Sequence, residues 1–500
     1  MRSKQAFKIE ALVFTMALIF ISCQHNNELN KNQKEFKKKH PLFSSQFENQ
    51  IKNIYKEKAL FGDFMFAVVD ENGLAYSFTL NRDILEGNKT SLTNNSPIYI
   101  ASHTKSFTGT LLKILEEKGE LDLNHSLAHY LPELNYSDSV DTKTINLKSL
   151  LNHTHGTMSL PLIWKTAFIG YSGEDAELVN DLNTDFRYDP SHKFRYSNVG
   201  PIIAGLVVDE VTGNTWKDEM KRYIFEPLKM NNTSTYVTDF DFNEIRPSVT
   251  ATKEIGIIET GFYKKDITMH ASGGIISTLN DLSKWLNVNM KQDEILLSKN
   301  SWADLHTSTT EQDREYFTYK RIGYSLGWDI AKYQNNTILT RFGGLAGISF
   351  HISFLPNKNI GIIAFSTDSR ANILPHLMAN YAYNQLNSLP ADSIFKEEKK
   401  KFSEVFEKKN KKLDFNASDI LENDPSHSIL GVYQNKLGWP KISITKKDNY
   451  YIFNWGVLNG KIYKTEKGKL LTRLGVLNRT FEIKNDSLLT GSLIYIKVKE

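Results

Sequence analysis

The chain has 500 residues, 40% of them hydrophobic and 24% charged, with a formal net charge of only +4. That length exceeds one ordinary core and predicts two or three domains, and the composition is that of a globular protein. The weak charge, carried by lysines scattered or mixed with glutamates, gives no reason to expect a nucleic-acid partner.

Arg2, Lys4 and Lys8 form a positive leader before the apolar run Ala11 to Ile21, which Ile21-Ser22-Cys23 follows at once. As a helix this run rises about 16 Å, too short to span a bilayer. The segment resembles a bacterial lipoprotein signal, although Phe20 stands where leucine is usual. The expectation is a signal peptide over 1–22, removal of which leaves Cys23 as a lipidated N-terminus. The protein is then exported and held to a bacterial membrane through Cys23 alone. Cys23 is the sole cysteine, so a disulfide within the chain is excluded. Residues 23–42 are polar and lysine-rich and predict a flexible tether.

The pattern from Phe43 to Lys58 suits a helix. Phe64 to Val69 and Leu74 to Leu80 are β-rich runs joined by the turn Asp70-Glu71-Asn72-Gly73. A stretch of helical patterns broken by Pro and Gly follows. Strand character returns near residue 320, at Tyr324 to Trp328, Ile348 to Leu355 and Ile360 to Ser366, and a helical pattern over Ala371 to Leu386 closes the unit. Strands at both ends with helices between predict one antiparallel sheet flanked by helices, with a helical region inserted, over 43–390. Residues 391–425 are charge-dense and read as a solvated helix or linker. From 426 to 500 short β segments recur at roughly ten-residue spacing, the pattern of a small all-β barrel or sandwich. The segment shows no site chemistry, so an accessory module is the expectation. No internal repeat is evident.

Three clusters carry chemistry. Ser102-His103-Thr104-Lys105 opens an apolar helical run (Phe107, Leu111, Ile114, Leu115) ended by Gly119. On a helix a hydroxyl and an amine three positions apart share a face. A desolvated lysine with a lowered pKa takes the proton that a serine must lose to attack. Tyr196-Ser197-Asn198 precedes the helical run Gly200 to Val211. A phenol near an ammonium relays protons, and the Asn198 amide orients the lysine or a substrate carbonyl. Arg341-Phe342-Gly343-Gly344 leads into the strand at Ile348. Glycines there let a substrate lie close to the main chain, an exposed N–H completes an oxyanion hole, and Arg341 offers a cation for a substrate carboxylate. Taken singly, each cluster is also compatible with a helix turn, a surface loop or a glycine-rich turn.

Ser102-x-x-Lys105, Tyr196-x-Asn198 and a basic residue followed by Gly-Gly before a strand, in this order, resemble the serine β-lactamase-related family of class C β-lactamases, DD-peptidases, esterases and D-aminopeptidases. Further segments share the resemblance: Ile145 to Gly156, Phe225 to Thr233, Ser272 to Leu282 and Gly323 to Trp328. Together they span about residues 45 to 388. The resemblance implies an α/β sandwich of the β-lactamase/transpeptidase type with its site where sheet meets helical region. It implies that Ser102 is acylated, that Lys105 activates it, that Tyr196 is general base or relay, and that the Gly344 N–H joins that of Ser102 around the oxyanion. Gly343 and Asn198 belong to the same substrate-binding set. It implies no metal and no cofactor, and a small-molecule or peptide substrate; it leaves the oligomeric state open. His153 falls where the family has a structural histidine, and no third ligand joins it and His155.

The departures bear on substrate. Arg341 is bulkier than the family's usual His or Lys and stays charged. Phe342 replaces a small or hydroxyl residue and is expected to crowd the groove. His155 replaces a small serine, and Ala346 a frequent proline. The leading expectation is a serine hydrolase acting through an acyl-enzyme on an amide or ester, namely a D-amino-acid peptide, a small ester or a lactam. The alternative is a non-catalytic binding or scaffold protein that kept the fold.

Overall fold

The computed structural model describes residues 31–80, 92–252, 256–260, 262–413, 420–421, 429–465, 469–475 and 477–498. The leader and Cys23 lie outside the described residues. Helix α1 covers residues 31–39 and α2 covers Phe43–Glu57. The expected tether is therefore helical and docked from residue 31 onward. Phe36 is the reason: it is buried, and its ring meets Phe43 edge-on at 5.3 Å. Asn32 also donates to the Asp70 carboxylate at 3.1 Å.

Strands β1 (Phe64–Asp70) and β2 (Gly73–Leu80) form the predicted hairpin. Next come the helices α3 (Thr104–Glu117), α4 (Val199–Thr212) and α5 (Leu279–Lys291) of the helical region. The chain then returns to the sheet with β3 (Thr310–Tyr316), β4 (Tyr319–Tyr324), β5 (Asp329–Tyr333), β6 (Asn336–Leu345), β7 (Ile348–Leu355) and β8 (Ile360–Ser366). The eight strands run in the order β2-β1-β8-β7-β6-β5-β4-β3, all antiparallel. First and last segments meet at β1 and β8, as the pattern of strands at both ends requires.

Strand β1 shows why both faces are covered. Phe64, Phe66 and Val68 enter one apolar cluster with α2, while Met65, Ala67 and Val69 enter another with α3 and α5. Alternate side chains leave opposite faces of a strand, so an unbroken apolar run demands cover on both. Helices α6 (Leu374–Leu386) and α7 (Ala391–Leu413) complete the first layer. The charge-dense segment is thus no free linker. Phe395, Phe402 and Phe406 form an apolar stripe on α7 and are buried in that layer, and the buried Glu398 carboxylate accepts from Tyr333 Oη and Asn380.

The run Tyr324 to Trp328 is not one strand. It straddles the end of β4 and a turn closed by Ser325 N–H on Trp328 O at 2.9 Å. Gly327 in that turn has φ +152°, and a Cβ there would lie 2.7 Å from Ser106 Cα. The turn is pressed onto α3, which is why it leaves the sheet.

The C-terminal segment is a closed eight-stranded barrel: β9 (Gly431–Gln434), β10 (Ile442–Lys447), β11 (Tyr450–Trp455), β12 (Leu458–Lys464), β13 (Leu470–Leu474), β14 (Leu477–Lys484), β15 (Ser487–Thr490) and β16 (Leu493–Lys497). The strands β10, β11, β12, β14 and β16 are legible in the sequence as short β segments; β9 and β15, of four residues each, and β13 are not. Closure comes from β9 pairing with β16, Tyr433 opposite Lys497. Phe402→Ala on α7 is expected to cost about 3–5 kcal/mol in urea unfolding, the usual range for emptying a buried Phe site. Lys396→Ala on the same helix should stay within about 0.5 kcal/mol. Equal, small effects would mean that α7 does not belong to the core.

Candidate active site

Ser102 sits in a short 3-10 turn, Ala101–His103, directly before α3. Ala101 has φ +48°, a left-handed conformation that lifts the next residue out of the regular path. The Ser102 side chain is partly exposed while Ala101 and His103 are buried. His103 is locked from behind, since Trp285 Nε1–H on α5 donates to its Nε2 at 3.0 Å. Gly109 on α3 packs against Leu326, whose carbonyl would sit 1.8 Å from a Cβ there. These contacts fix α3 and hence the start of the helix that bears Lys105.

Lys105 is 1% exposed. Its Nζ donates to Asn198 Oδ1 at 2.8 Å, to the Ser272 carbonyl at 2.8 Å and to Ser102 Oγ at 3.3 Å. Asn198 is the residue directly before α4, and its side chain does not cap that helix, which leaves its amide oxygen for the lysine. Tyr196 Oη–H donates to Ser102 Oγ at 3.1 Å. Burial pushes the Lys105 amine down to about 8, with the Arg341 charge acting in the same direction. Burial would push the Tyr196 phenol up, but the Arg341 and Lys105 charges outweigh it and bring the phenol down to about 8. The two groups are in contact and titrate as a pair.

Register explains the cleft. Pairing between β5 and β6 ends at Asp329 opposite Thr340, whereas pairing between β6 and β7 runs on to Leu345 opposite Ile348. Residues 341–345 are therefore paired on one side only. The glycines lie inside this strand, not beside it as the sequence suggests. Gly343 is required by contact: a Cβ there would meet the Ile100 carbonyl at 2.3 Å and Ala101 Cβ at 3.2 Å. A cavity of about 480 Å³ opens along this edge, lined by Ser102, Tyr196, Arg341, Gly343 and Gly344 among others.

Arg341 differs from its expected use. It is 5% exposed, and its Nη1–H donates to Asp329 Oδ2 at 2.7 Å. Its guanidinium lies 4.7 Å from the Tyr196 ring centre. The cation faces the phenol and is paired from behind, so it is not held out for a substrate carboxylate. Phe342 differs as well. Strand alternation turns it to the opposite face, where it packs on Tyr316 at 4.0 Å and His376 at 5.3 Å and forms the far wall of the cavity. The crowding expected over Ser102 is taken up on that face.

His153 and His155 are buried neutral rings. His155 Nδ1 contacts Thr157 Oγ1 at 2.8 Å, and His153 packs on the Tyr196 ring at 4.7 Å. Among the described residues no group of three His, Cys, Asp or Glu is placed to hold a metal ion. Two groups of the site escaped the sequence reading. The Ser272 carbonyl is a main-chain acceptor within a segment noticed only for its resemblance, and Asp329 carries no local signal of its partner twelve residues on.

A family model described as Beta-lactamase matches residues 64–379. Among curated proteins, "Unguisins hydrolase ungD'" of Aspergillus campestris is 24% identical over 55% of this chain and 53% of its own length. "Protein flp" of Staphylococcus aureus is 23% identical over 53% of this chain and 52% of its own. The chain thus spans about half the length of the curated relatives it matches. Among solved structures, the octameric penicillin-binding protein homologue from Pyrococcus abyssi superposes with TM-score 0.60 at 19% identity, over 91% of this chain and 100% of the other. The D-amino acid amidase from Ochrobactrum anthropi SV3 gives TM-score 0.55 at 17% identity, over 73% and 99%. With more than half its length matched to that model and its fold shared with these structures, the chain belongs to the beta-lactamase family.

Proposed function

We propose that the protein is a serine hydrolase that forms an acyl-enzyme on Ser102 and hydrolyses an amide or ester bond. The observation that carries this is the convergence on one hydroxyl: Ser102 Oγ lies 3.3 Å from Lys105 Nζ and 3.1 Å from Tyr196 Oη. A lysine and a phenol each brought to about 8 exchange a proton readily near neutral pH. With Lys105 neutral, its lone pair takes the Ser102 proton as Oγ attacks the carbonyl carbon. The N–H groups of Ser102 and Gly344 hold the oxyanion, and the Tyr196 phenol passes the proton to the leaving nitrogen or oxygen. Water then attacks the ester by the reverse path and frees Ser102.

The substrate class we propose is a D-amino-acid peptide, a small ester or a lactam. The solved D-amino acid amidase supports the amide arm by its name, and the fungal relative is named for hydrolysis of unguisins. The departures at the third motif do not favour a non-catalytic scaffold. Arg341 supports the phenol, and Phe342 packs away from Ser102. We also propose export and lipid anchoring through Cys23, on the sequence of the leader alone. Among the described residues no helix is long and apolar enough to cross a membrane.

A fluorophosphonate or labelled penicillin is expected to mark Ser102 in the wild type and to leave Ser102→Ala unmarked. Absence of any adduct on the wild type with both reagents would overturn the reading. Lys105→Ala should slow acylation by about 10² to 10⁴, the scale for loss of a general base; normal burst kinetics would remove it from that role.

Arg341→Met gives a signed pH test. The Arg341 charge lowers both Tyr196 and Lys105, so its loss lets both rise. Asp329 keeps Gln312 at 3.1 Å and Arg321 at 3.6 Å and is not left bare. The acid limb of kcat/KM should move to higher pH by about one unit, with activity lost at pH 7 and recovered above pH 9. An unmoved limb would show that Arg341 does not set the pair.

A further inference from the structure

Among the described residues the barrel places none in the lining of the cleft, yet it grips the segment beside it. At the tip of the β11–β12 hairpin, Val457 N–H donates to the Ile169 carbonyl at 2.7 Å. Gly456, at φ +57°, has no room for a side chain, because a Cβ would meet that carbonyl at 2.1 Å. Ile169 closes a single π-helical turn, Lys165–Ile169. Around this contact the Trp455 and Trp164 rings lie 5.5 Å apart, and Trp439 Nε1–H donates to Asp185 Oδ2 at 3.3 Å. The grip joins main chain to main chain and adds the Val457 side chain, packed so closely on Gly170 that a Cβ there would lie 3.2 Å from Val457 Cγ1, so the turn is tied to the hairpin by both.

A buried lysine outside the mechanism links that turn to the site. Lys264 is 2% exposed, and its Nζ donates to Thr268 O at 2.5 Å and to Ala167 O at 3.3 Å. Ala167 lies inside the gripped turn. Thr268 belongs to the 3-10 turn Asp266–Thr268, which runs into the bend where Gly273 N–H bonds His270 O at 3.0 Å. Gly274 packs on His270 N, which a Cβ would reach at 2.1 Å, so this bend is tight. Between them stands Ser272, the carbonyl that accepts from Lys105 at 2.8 Å. Burial brings the Lys264 amine down to about 7, and an amine so enclosed, bonded among the described residues to carbonyls of two segments, is tolerated only where both are held in place.

We propose that the C-terminal barrel positions the catalytic lysine: it fixes the turn Lys165–Ile169, and Lys264 carries that constraint to the loop whose Ser272 carbonyl holds Lys105. The proposal rests on the reading of Lys105 as the base for Ser102. Lys264 and Val457 are positioning residues and touch no reacting atom. Misplacement of a catalytic group by a fraction of an ångström slows chemistry more than binding.

The test uses the full chain, with Gly456→Ala and Val457→Ala at the grip and Ile494→Ser on the exposed outer face of the barrel as control. The readouts are the rate of Ser102 labelling by a fluorophosphonate, and kcat and KM for a chromogenic ester across pH. For Gly456→Ala the labelling rate and kcat should fall about 10-fold with KM changed by less than about two-fold. The acid limb should move to lower pH, because a weaker Ser272 acceptor favours the uncharged amine. Val457→Ala should show the same pattern at about three-fold, and Ile494→Ser none of it. Folded Gly456→Ala and Val457→Ala proteins with wild-type rates and an unmoved limb would overturn the proposal; if Gly456→Ala does not fold, Val457→Ala decides alone. A wild type that takes no label fails the hydrolase reading itself, a result distinct from either.

Discussion

One nearly dry ammonium organises this molecule. Lys105 has three N–H donors when charged, and each has an acceptor: the Asn198 amide oxygen just before α4, a main-chain carbonyl in the loop before α5, and the Ser102 hydroxyl. A buried ammonium without such partners costs several kcal/mol, so the lysine is tolerable only where these segments meet. The longest of the three bonds is the one to serine. When the amine is neutral it keeps two donors for the two short bonds and turns its lone pair to the hydroxyl. The arrangement that satisfies the charge thus becomes, on loss of one proton, an arrangement that accepts one.

The sheet supplies the other half of the cleft by stopping early. Strand β5 leaves its neighbour at Thr340, and β6 continues with one side unpaired and nearly without side chains at Gly343 and Gly344. Bare backbone there does two things. It lets the turn that carries Ser102 lie against the strand, and it leaves main-chain groups facing the cavity in place of side chains. An edge of this kind keeps main-chain donors and acceptors open to pairing with another extended chain.

Much of this is legible in the sequence, and the reasons are local. Period-two and period-3.6 patterns gave the hairpin at 64–80, α2, α3 and the long barrel strands, because their burial is decided by neighbours a few residues away. Ser102, Lys105, Tyr196 and Asn198 were legible as motif members, with Ser102 and Lys105 on one helical face. What failed was long-range. Phe36 and the α7 phenylalanines look like isolated apolar residues in charged segments until the sheet face they cover is known. Arg341 reads as a free cation because Asp329 lies across a strand pair. Short barrel strands such as Gly431–Gln434 and Ser487–Thr490 carry too few residues for alternation to register.

The position of Arg341 also changes how a departure from a motif is weighed. A histidine there shares protons with its surroundings, whereas a guanidinium holds its charge throughout the working range. Placed 4.7 Å from the Tyr196 ring and tied to Asp329, it imposes a steady positive field on a phenol that burial alone would keep protonated. The carboxylate offsets the desolvation of the guanidinium, so the field is obtained without an orphaned charge. A cation placed in this way acts on the phenol that touches Ser102. The residue type at a motif position therefore says less about its task than the partner on its far side, and here that partner is a buried aspartate.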